Sequence, residues 1–345
     1  MSGRPDSSRY TQLRDRAQLA MKLRRRLAGG AGAVEALRRT WSRYPEEWSR
    51  DAALSKGAGT LGEEWGGAAF ADLVVALTEP YLGPGADVLE LGCGGGKFSS
   101  RLAPRCRSLV CTDISSAMIE HARATLAAQG IDANVSYRVL NGIDFTGVPD
   151  SSVDFIFSYD VQVHLQPENV YSYMVDARRV LRENGIFMLH QVNLASDGGV
   201  GHFLGQYYAG TWQCDLYDAR RRGFMYFMSG DQMGTLAAAA RLAVDRIVDD
   251  FPPADSPLRA VTDGRDLIGF LELRASRLRG VDPATVRVVR GEDSPTVYAL
   301  LDGARVAFAS RLQFGVAGFR DGDVEELPAG ELDAIREAEP LAPWE

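Results

Sequence analysis

Cysteine is scarce and unpatterned. Cys93, Cys106, Cys111 and Cys214 are the only four in 345 residues, and no two make a C-x-x-C pair. That spacing argues against a disulfide framework or a structural zinc site and fits reduced thiols in a cytoplasm. Histidine is equally sparse. His121, His164, His190 and His202 are the whole set, and none pairs with carboxylates at metal-ligand spacing, so no metal is expected. No apolar run approaches the roughly 20 residues needed to cross a bilayer. The first residues lack an apolar signal core with a small-residue cleavage site. A soluble cytoplasmic protein without a membrane partner is the expectation. Internal repeats and low-complexity tracts are also missing.

The apolar share of 46% and charged share of 24% belong to an ordinary globular chain. The length allows one large domain with additions, or two domains. Net charge is −8, unevenly spread: residues 1–50 hold 12 Lys/Arg against 5 Asp/Glu, a balance of +7 that leaves −15 for the remainder. A basic arm suits an anionic substrate or nucleic acid, yet the acidic body argues against a broad nucleic-acid surface. The bland reading, an arginine-faced helix lying over the acidic body, is preferred.

Residues 8–28 place Leu13, Ala17, Ala20 and Leu23 at helical spacing. Gly29-Gly30 ends that helix, and a second is expected from about Gly32 to Arg43, before Pro45. Trp41, Tyr44 and Trp48 cluster there, and glycine-rich 57–67 reads as a loop carrying Trp65. Beyond residue 68, helices are predicted at 68–80, up to Leu102, at 115–129, 169–182 and 231–243. Strands are predicted at 87–91, 108–112, 135–140, 153–158, 186–192, 244–249 and 266–273. Such alternation predicts a doubly wound α/β sheet with helices on both faces. Aromatic-rich 193–230 is too long for a plain connection and reads as an insertion or lid. Strand-like runs at 285–289, 296–301 and 305–308, with Asp302-Gly303 as a hairpin turn, predict a small β-rich appendix over 280–345. The expected division is a helical arm over 1–60, a main domain over 61–275 and that appendix.

The most informative stretch is Val88-Leu-Glu-Leu-Gly-Cys-Gly-Gly-Gly-Lys97. Glycines at a strand's carboxyl end let a ligand approach the backbone, where a Cβ would collide with it, and in a doubly wound sheet that crevice is the binding place. Glu90 lies two positions before the first glycine. A carboxylate there would repel a pyrophosphate but favours a cationic ligand such as S-adenosylmethionine (SAM), with its amino group and sulfonium. Asp113, 23 residues after Glu90, either accepts hydrogen bonds from both ribose hydroxyls or caps the 115–129 helix.

With these residues the chain resembles a class I SAM-dependent methyltransferase over roughly 60–275. Glu90-Leu-Gly-Cys-Gly-Gly-Gly resembles the family's first motif, Asp113 its ribose-binding acid, and Val139-Leu-Asn-Gly-Ile-Asp144 the stretch that contacts adenine. Asp154-Phe-Ile-Phe-Ser-Tyr159 resembles its fourth strand, and Leu181-Arg-Glu-Asn-Gly-Ile-Phe187 the turn before its fifth. Asn141 stands where many members carry Asp, so the adenine contact falls to it, to Asp144 or to backbone. The resemblance implies a seven-stranded, mostly parallel sheet with its last strand antiparallel, and methyl transfer from SAM that leaves S-adenosylhomocysteine. It implies cofactor contacts from Glu90, Gly92, Cys93, Gly94, Gly96, Asp113, Ile114, Met118, Asn141, Gly142, Ile143 and Tyr159. Met118 either lies under adenine or packs the helix core, and Cys93 is read as a packing residue, not a nucleophile.

An oxygen acceptor must lose a proton, and histidine suits that work near neutral pH. His121 sits on the outer side of its helix. His164, just beyond the fourth strand, is the expected base, with Asp160 as orienting or alternative base; its rival role is to hold the loop. His190, His202, Tyr207 and Trp212 are candidates for the acceptor pocket, and the aromatic residues among them equally for ordinary packing. O-methylation of a small molecule leads. Small-molecule N- or C-methylation, a nucleic-acid or protein modifier steered by the basic arm, and a non-catalytic SAM-binding protein are the rivals. A homodimer is weakly preferred.

Overall fold

The computed structural model describes residues 31–56, 58–210, 224–274, 285–292, 294–317 and 319–341. The helix expected over 8–28, Trp212 and Cys214 lie outside the described residues.

The apolar runs become the middle of one sheet. Strands β1 (Gly83–Leu91), β2 (Cys106–Asp113), β3 (Val135–Val139), β4 (Val153–Ser158), β5 (Leu181–Asn193), β7 (Ala243–Phe251) and β8 (Asp266–Glu272) lie in the order β3-β2-β1-β4-β5-β8-β7. A two-residue β6 (Phe227–Met228) pairs parallel to the end of β5. The first five strands are parallel, and β8 runs antiparallel between β5 and β7. The seven-stranded expectation thus holds, with β6 as a small addition. Val88, Leu89, Phe155, Ile156, Phe187, Met188 and Leu189 are fully buried, because strands covered by helices on both faces must be apolar on both.

Helices α3 (Gly67–Ala76), α4 (Ser99–Leu102), α5 (Ser116–Gln129), α6 (Pro167–Val180) and α8 (Gly230–Ala239) supply the covering layers. The expected 169–182 helix stops at Val180, and Leu181 opens β5. Asn184 takes a φ of 64° at the bend, a left-handed conformation that Asn tolerates better than most residues. Because chain order reverses at β1, which has β2 on one side and β4 on the other, the crevice opens at the carboxyl ends of these strands.

The N-terminal helices are α1 (Ala31–Arg50) and α2 (Ala52–Ser55). Pro45 was expected to end the helix near Arg43, yet α1 runs through it. Its missing N–H costs one bond, but the turn that contains it buries Tyr44 against Leu61 and Met118. Arg38 Nε donates to Ile114 O at 3.3 Å and Ser42 Oγ to Ser115 Oγ at 3.0 Å, laying α1 over the ends of β1 and β2.

Within the 193–230 segment, residues 197–208 form α7 (Asp197–Tyr208), capped by Ser196, whose Oγ accepts from Gly199 N; residues 211–223 lie outside the described residues. Beyond it, β9 (Val288–Gly291), β10 (Val297–Leu301), β11 (Ala304–Ala307) and β12 (Val324–Leu327) form a second sheet, ordered β11-β10-β9-β12, with helices α9 (Arg311–Val316) and α10 (Ala329–Asp333) beside it. Asp302 and Gly303 both have positive φ, 50° and 74°, as the expected two-residue hairpin turn requires. No described helix is long and apolar enough to cross a membrane.

Candidate active site

The glycine loop after β1 works through three different neighbours. Gly92 (φ +77°) sits where a Cβ would fall inside the Val161 side chain, and a Cβ on Gly95 would come within 2.5 Å of Leu61. A Cβ on Gly96 (φ +94°) would meet Leu126 of α5 at 2.8 Å. Gly94 differs: at φ +51° its Cβ would meet no atom within 4 Å. It would project into a cavity of about 990 Å³, counting its open mouth.

That cavity is lined by Gly92–Gly95, Lys97, Phe98, Asp113, Ile114, Met118, Leu140, Gly142, Tyr159, Asp160, Val161, His164, Leu165 and Tyr173. Leu37 and Trp41 of α1 and Leu61, Gly62 and Trp65 of the 57–67 loop roof it. The roof is pinned from below. Buried Glu64 accepts from Tyr44 Oη at 2.6 Å and Gly62 N at 2.7 Å, while Lys97 Nζ donates to Trp65 O at 2.8 Å. Tyr44 and Trp65 stack at 5.3 Å between centroids.

Asp113, at the tip of β2, accepts from Gly94 N (3.1 Å) through Oδ2 and from Ser115 N (2.9 Å) through Oδ1. The cap of α5 is Ser115, whose Oγ accepts from Met118 N, so Asp113 is not spent on capping. Burial pushes its carboxyl up to about 6. Glu90 lies one layer deeper. It is absent from the cavity lining, Oε2 accepts from Ser99 Oγ at 2.5 Å, and burial first, then the Asp113 charge, raise it to about 7. Its Oε1 has no partner among the described residues.

His164 sits in a 3₁₀ turn (Gln162–His164) after β4. Its Nδ1 is 2.8 Å from Phe224 O, and burial lowers its pKa below the usual histidine range. A neutral ring facing a carbonyl must carry its proton on Nδ1, which leaves the lone pair on Nε2. The turn is braced from the returning end of the 193–230 segment: Tyr226 N donates to Val163 O at 2.7 Å, and Gln206 of α7 clasps Met225 through both Nε2 and Oε1.

Asp160, a few residues earlier, holds φ +59°, a strained conformation for a residue with a Cβ, kept where the surroundings enforce it. Its N–H donates to His190 Nδ1 at 3.2 Å. The His190 ring stacks on Tyr159 at 4.0 Å, and its Nε2 lies 3.3 Å from Asp266 Oδ1. Tyr159 Oη also donates to Asp266.

Residues 88–185 match the family described as a methyltransferase domain. Residues 88–185 carry a methyltransferase domain. It is 32% identical to chondramide synthase of Chondromyces crocatus over 157 residues, covering 45% of this chain and 4% of that protein. It is 31% identical to a probable S-adenosylmethionine-dependent methyltransferase of Mycolicibacterium smegmatis over 109 residues, covering 32% of this chain and 39% of that protein. The chain thus spans less than half the length of either relative. Among solved structures, the fold is similar to magnesium protoporphyrin IX methyltransferase from Synechocystis PCC 6803 with bound S-adenosylhomocysteine, at TM-score 0.50 and 16% identity, covering 70% of this chain and all of that one.

In the methyltransferase domain, Gly92, Cys93, Gly94, Asp113, Ile114, Met118, Gly142, Tyr159, Asp160 and His164 come together around the cavity. Cys93 is a buried thiol raised well above its ordinary pKa, by Cys111 first and then by burial, so it stays protonated. Glu90, Gly96, Asn141 and Ile143 do not line the cavity. Asn141 is consumed by its own turn: Oδ1 accepts from Ile143 N and Asp144 N, and Nδ2 donates to Asp144 and Thr146. Of that stretch, Leu140 and Gly142 reach the cavity.

His190 lies outside the cavity lining: at 1% exposure it sits behind Asp160 and supports it. His202 is also outside that lining: it faces Arg265 at 3.1 Å, and burial, then Arg265, lower it to about 4. Tyr207 points outward at 55% exposure. His121 lies beside Trp48 at 5.9 Å, outside the cavity. Sequence reasoning missed Lys97 and the roof residues Leu37, Leu61 and Gly62. For Lys97 a signal existed, a lone cation directly after the glycine run.

Proposed function

We propose that this chain is a SAM-dependent methyltransferase acting on a hydroxyl group of a small molecule, with His164 as general base. One observation carries the reading: half-buried His164, its Nδ1 2.8 Å from Phe224 O, lines the same cavity as the glycine loop, where a neutral ring bonded to that carbonyl offers the Nε2 lone pair. The residues present fit SAM. Gly94 leaves the cradle that a Cβ would fill, Asp113 ends β2 as a buried carboxylate, and Ile114, Met118, Leu140 and Gly142 form an apolar slot beside it. Bound there, SAM supplies a methyl group already activated by its sulfonium.

The protein's own work is then positioning and proton removal. Asp113 would hold the ribose hydroxyls as their acceptor. Trp41, Trp65 and Leu61 roof the cavity and exclude water from it. His164 Nε2 takes the acceptor's proton as its oxygen attacks, and the ring becomes an imidazolium whose Nδ1–H still bonds Phe224 O. Asp160, fixed by His190, provides the nearby negative charge that steadies that cation. Cytoplasmic location and a small, enclosed acceptor accord with the buried thiols and the roofed cavity. The test is calorimetric SAM titration followed by an acceptor screen with phenols, carbohydrates and amines. Turnover of a hydroxyl acceptor that His164→Ala abolishes supports the reading, whereas undiminished turnover of an amine or carbon acceptor by that variant refutes the assigned base.

A further inference from the structure

Lys97 is an electrostatic anomaly. It follows the glycine run directly, lines the cavity and is only 5% exposed. Its ammonium donates to Trp65 O at 2.8 Å and lies 4.9 Å from the Phe98 ring centroid. A lysine ammonium has three donors, so two stay unmatched among the described residues, and no carboxylate oxygen there comes within 4.0 Å of Nζ. Taking an ammonium out of water costs several kcal/mol unless an anion compensates it. Burial accordingly lowers its pKa, while Asp160, Glu64 and Glu63 pull the other way from a distance. A buried cation held on a cavity wall without a counter-ion is poised for an anionic group of whatever occupies the cavity.

We propose that Lys97 is the receptor for the α-carboxylate of the SAM methionyl group. The inference rests on the cofactor reading above and deepens it. Asp113 marks the nucleoside end of the loop at β2, whereas Lys97 lies past the loop's last glycine, under the roof. Gly94 N donates to Asp113, and Asp113, Gly92–Gly94 and Lys97 all line the one cavity, so a single ligand there can meet both charged groups. SAM is cationic at its amino and sulfonium groups, so its carboxylate is the one part that a buried ammonium attracts. The Trp65 contact gives Lys97 a second duty: the ammonium that binds the ligand also fastens the roof, so occupancy and closure reinforce each other.

The experiment is isothermal calorimetry with two probes, SAM and decarboxylated SAM, on the unaltered full chain, K97M and K97R. Removing a charge-assisted contact weakens binding about ten- to hundredfold. K97M is expected to bind SAM that much more weakly, to bind decarboxylated SAM as tightly as the unaltered chain or more tightly, and K97R to recover SAM binding. Equal loss for both probes overturns the proposal, since it would mean that K97M merely loosens the roof. Undiminished SAM binding by K97M overturns it as well. Failure of the unaltered chain to bind SAM at all overturns the cofactor reading itself, a result distinct from either.

Discussion

Two glycines of one loop share a left-handed backbone and differ in what surrounds them, so replacing each with alanine separates folding from binding. Gly92 and Gly94 hold φ of +77° and +51°, and an L-residue in that region costs roughly 1–2 kcal/mol. For Gly92→Ala the new methyl lands inside Val161, and forced overpacking adds about 1–3 kcal/mol, for a total of roughly 2–5. For Gly94→Ala the methyl meets no protein atom within 4 Å and enters the cavity. Its folding cost is therefore the backbone term alone, about 1–2 kcal/mol. The same overpacking, about 1–3 kcal/mol, falls on the ligand instead, which weakens SAM binding by about 5- to 150-fold. Urea unfolding of the ligand-free variants and calorimetric SAM titration measure the two terms separately. If Gly94→Ala binds SAM as the unaltered chain does, or loses as much stability as Gly92→Ala, the placement of the cofactor along this loop is wrong.

Replacing His164 with alanine is expected to lower methyl transfer to a hydroxyl acceptor by about 10²–10⁴-fold and to leave SAM affinity nearly unchanged; single-turnover assays and calorimetry on one preparation would reveal the opposite pattern. Because burial keeps His164 below its usual pKa, the acid limb of the rate profile should fall below about pH 6.5; a limb at or above that value would count against the assignment. Asp113 and Glu90 are raised from 3.8 and 4.5 to about 6 and about 7 in the folded state. The stability they contribute is thus fully present below about pH 4 and lost as pH rises through these values, visible as a falling urea midpoint of the ligand-free protein. SAM binding, which takes Asp113 as carboxylate, should run oppositely and weaken as pH drops through about 6; a flat affinity would refute that role. Glu64→Ala strips one acceptor from Tyr44 and Gly62, and at about 1–3 kcal/mol for the buried hydrogen bonds lost it should lower both stability and SAM affinity, an effect that Glu64→Gln would soften.

Local chemistry sufficed for much of this molecule. Period and punctuation placed the strands because a strand buried on both faces must be continuously apolar. The glycine run and Asp113 declared a ligand crevice because only those residue types permit a close backbone approach and a carboxylate at a strand tip. Asp302-Gly303 declared its hairpin for the same local reason. Burial against distant residues decided the rest, and sequence spacing does not report it. Asn141 turned into its own loop, and α1 continued through Pro45 because packing Tyr44 outweighed one lost hydrogen bond. His190, late in β5, and His164, just beyond β4, look alike in the sequence, yet the β5–β8 pairing beside Asp266 retired the first behind the wall. The carbonyl of Phe224, 60 residues away, left the second with a free nitrogen in the cavity. The sequence showed Lys97 as a cation after the glycine run, but only folding took its ammonium from water without a carboxylate within ion-pair distance among the described residues.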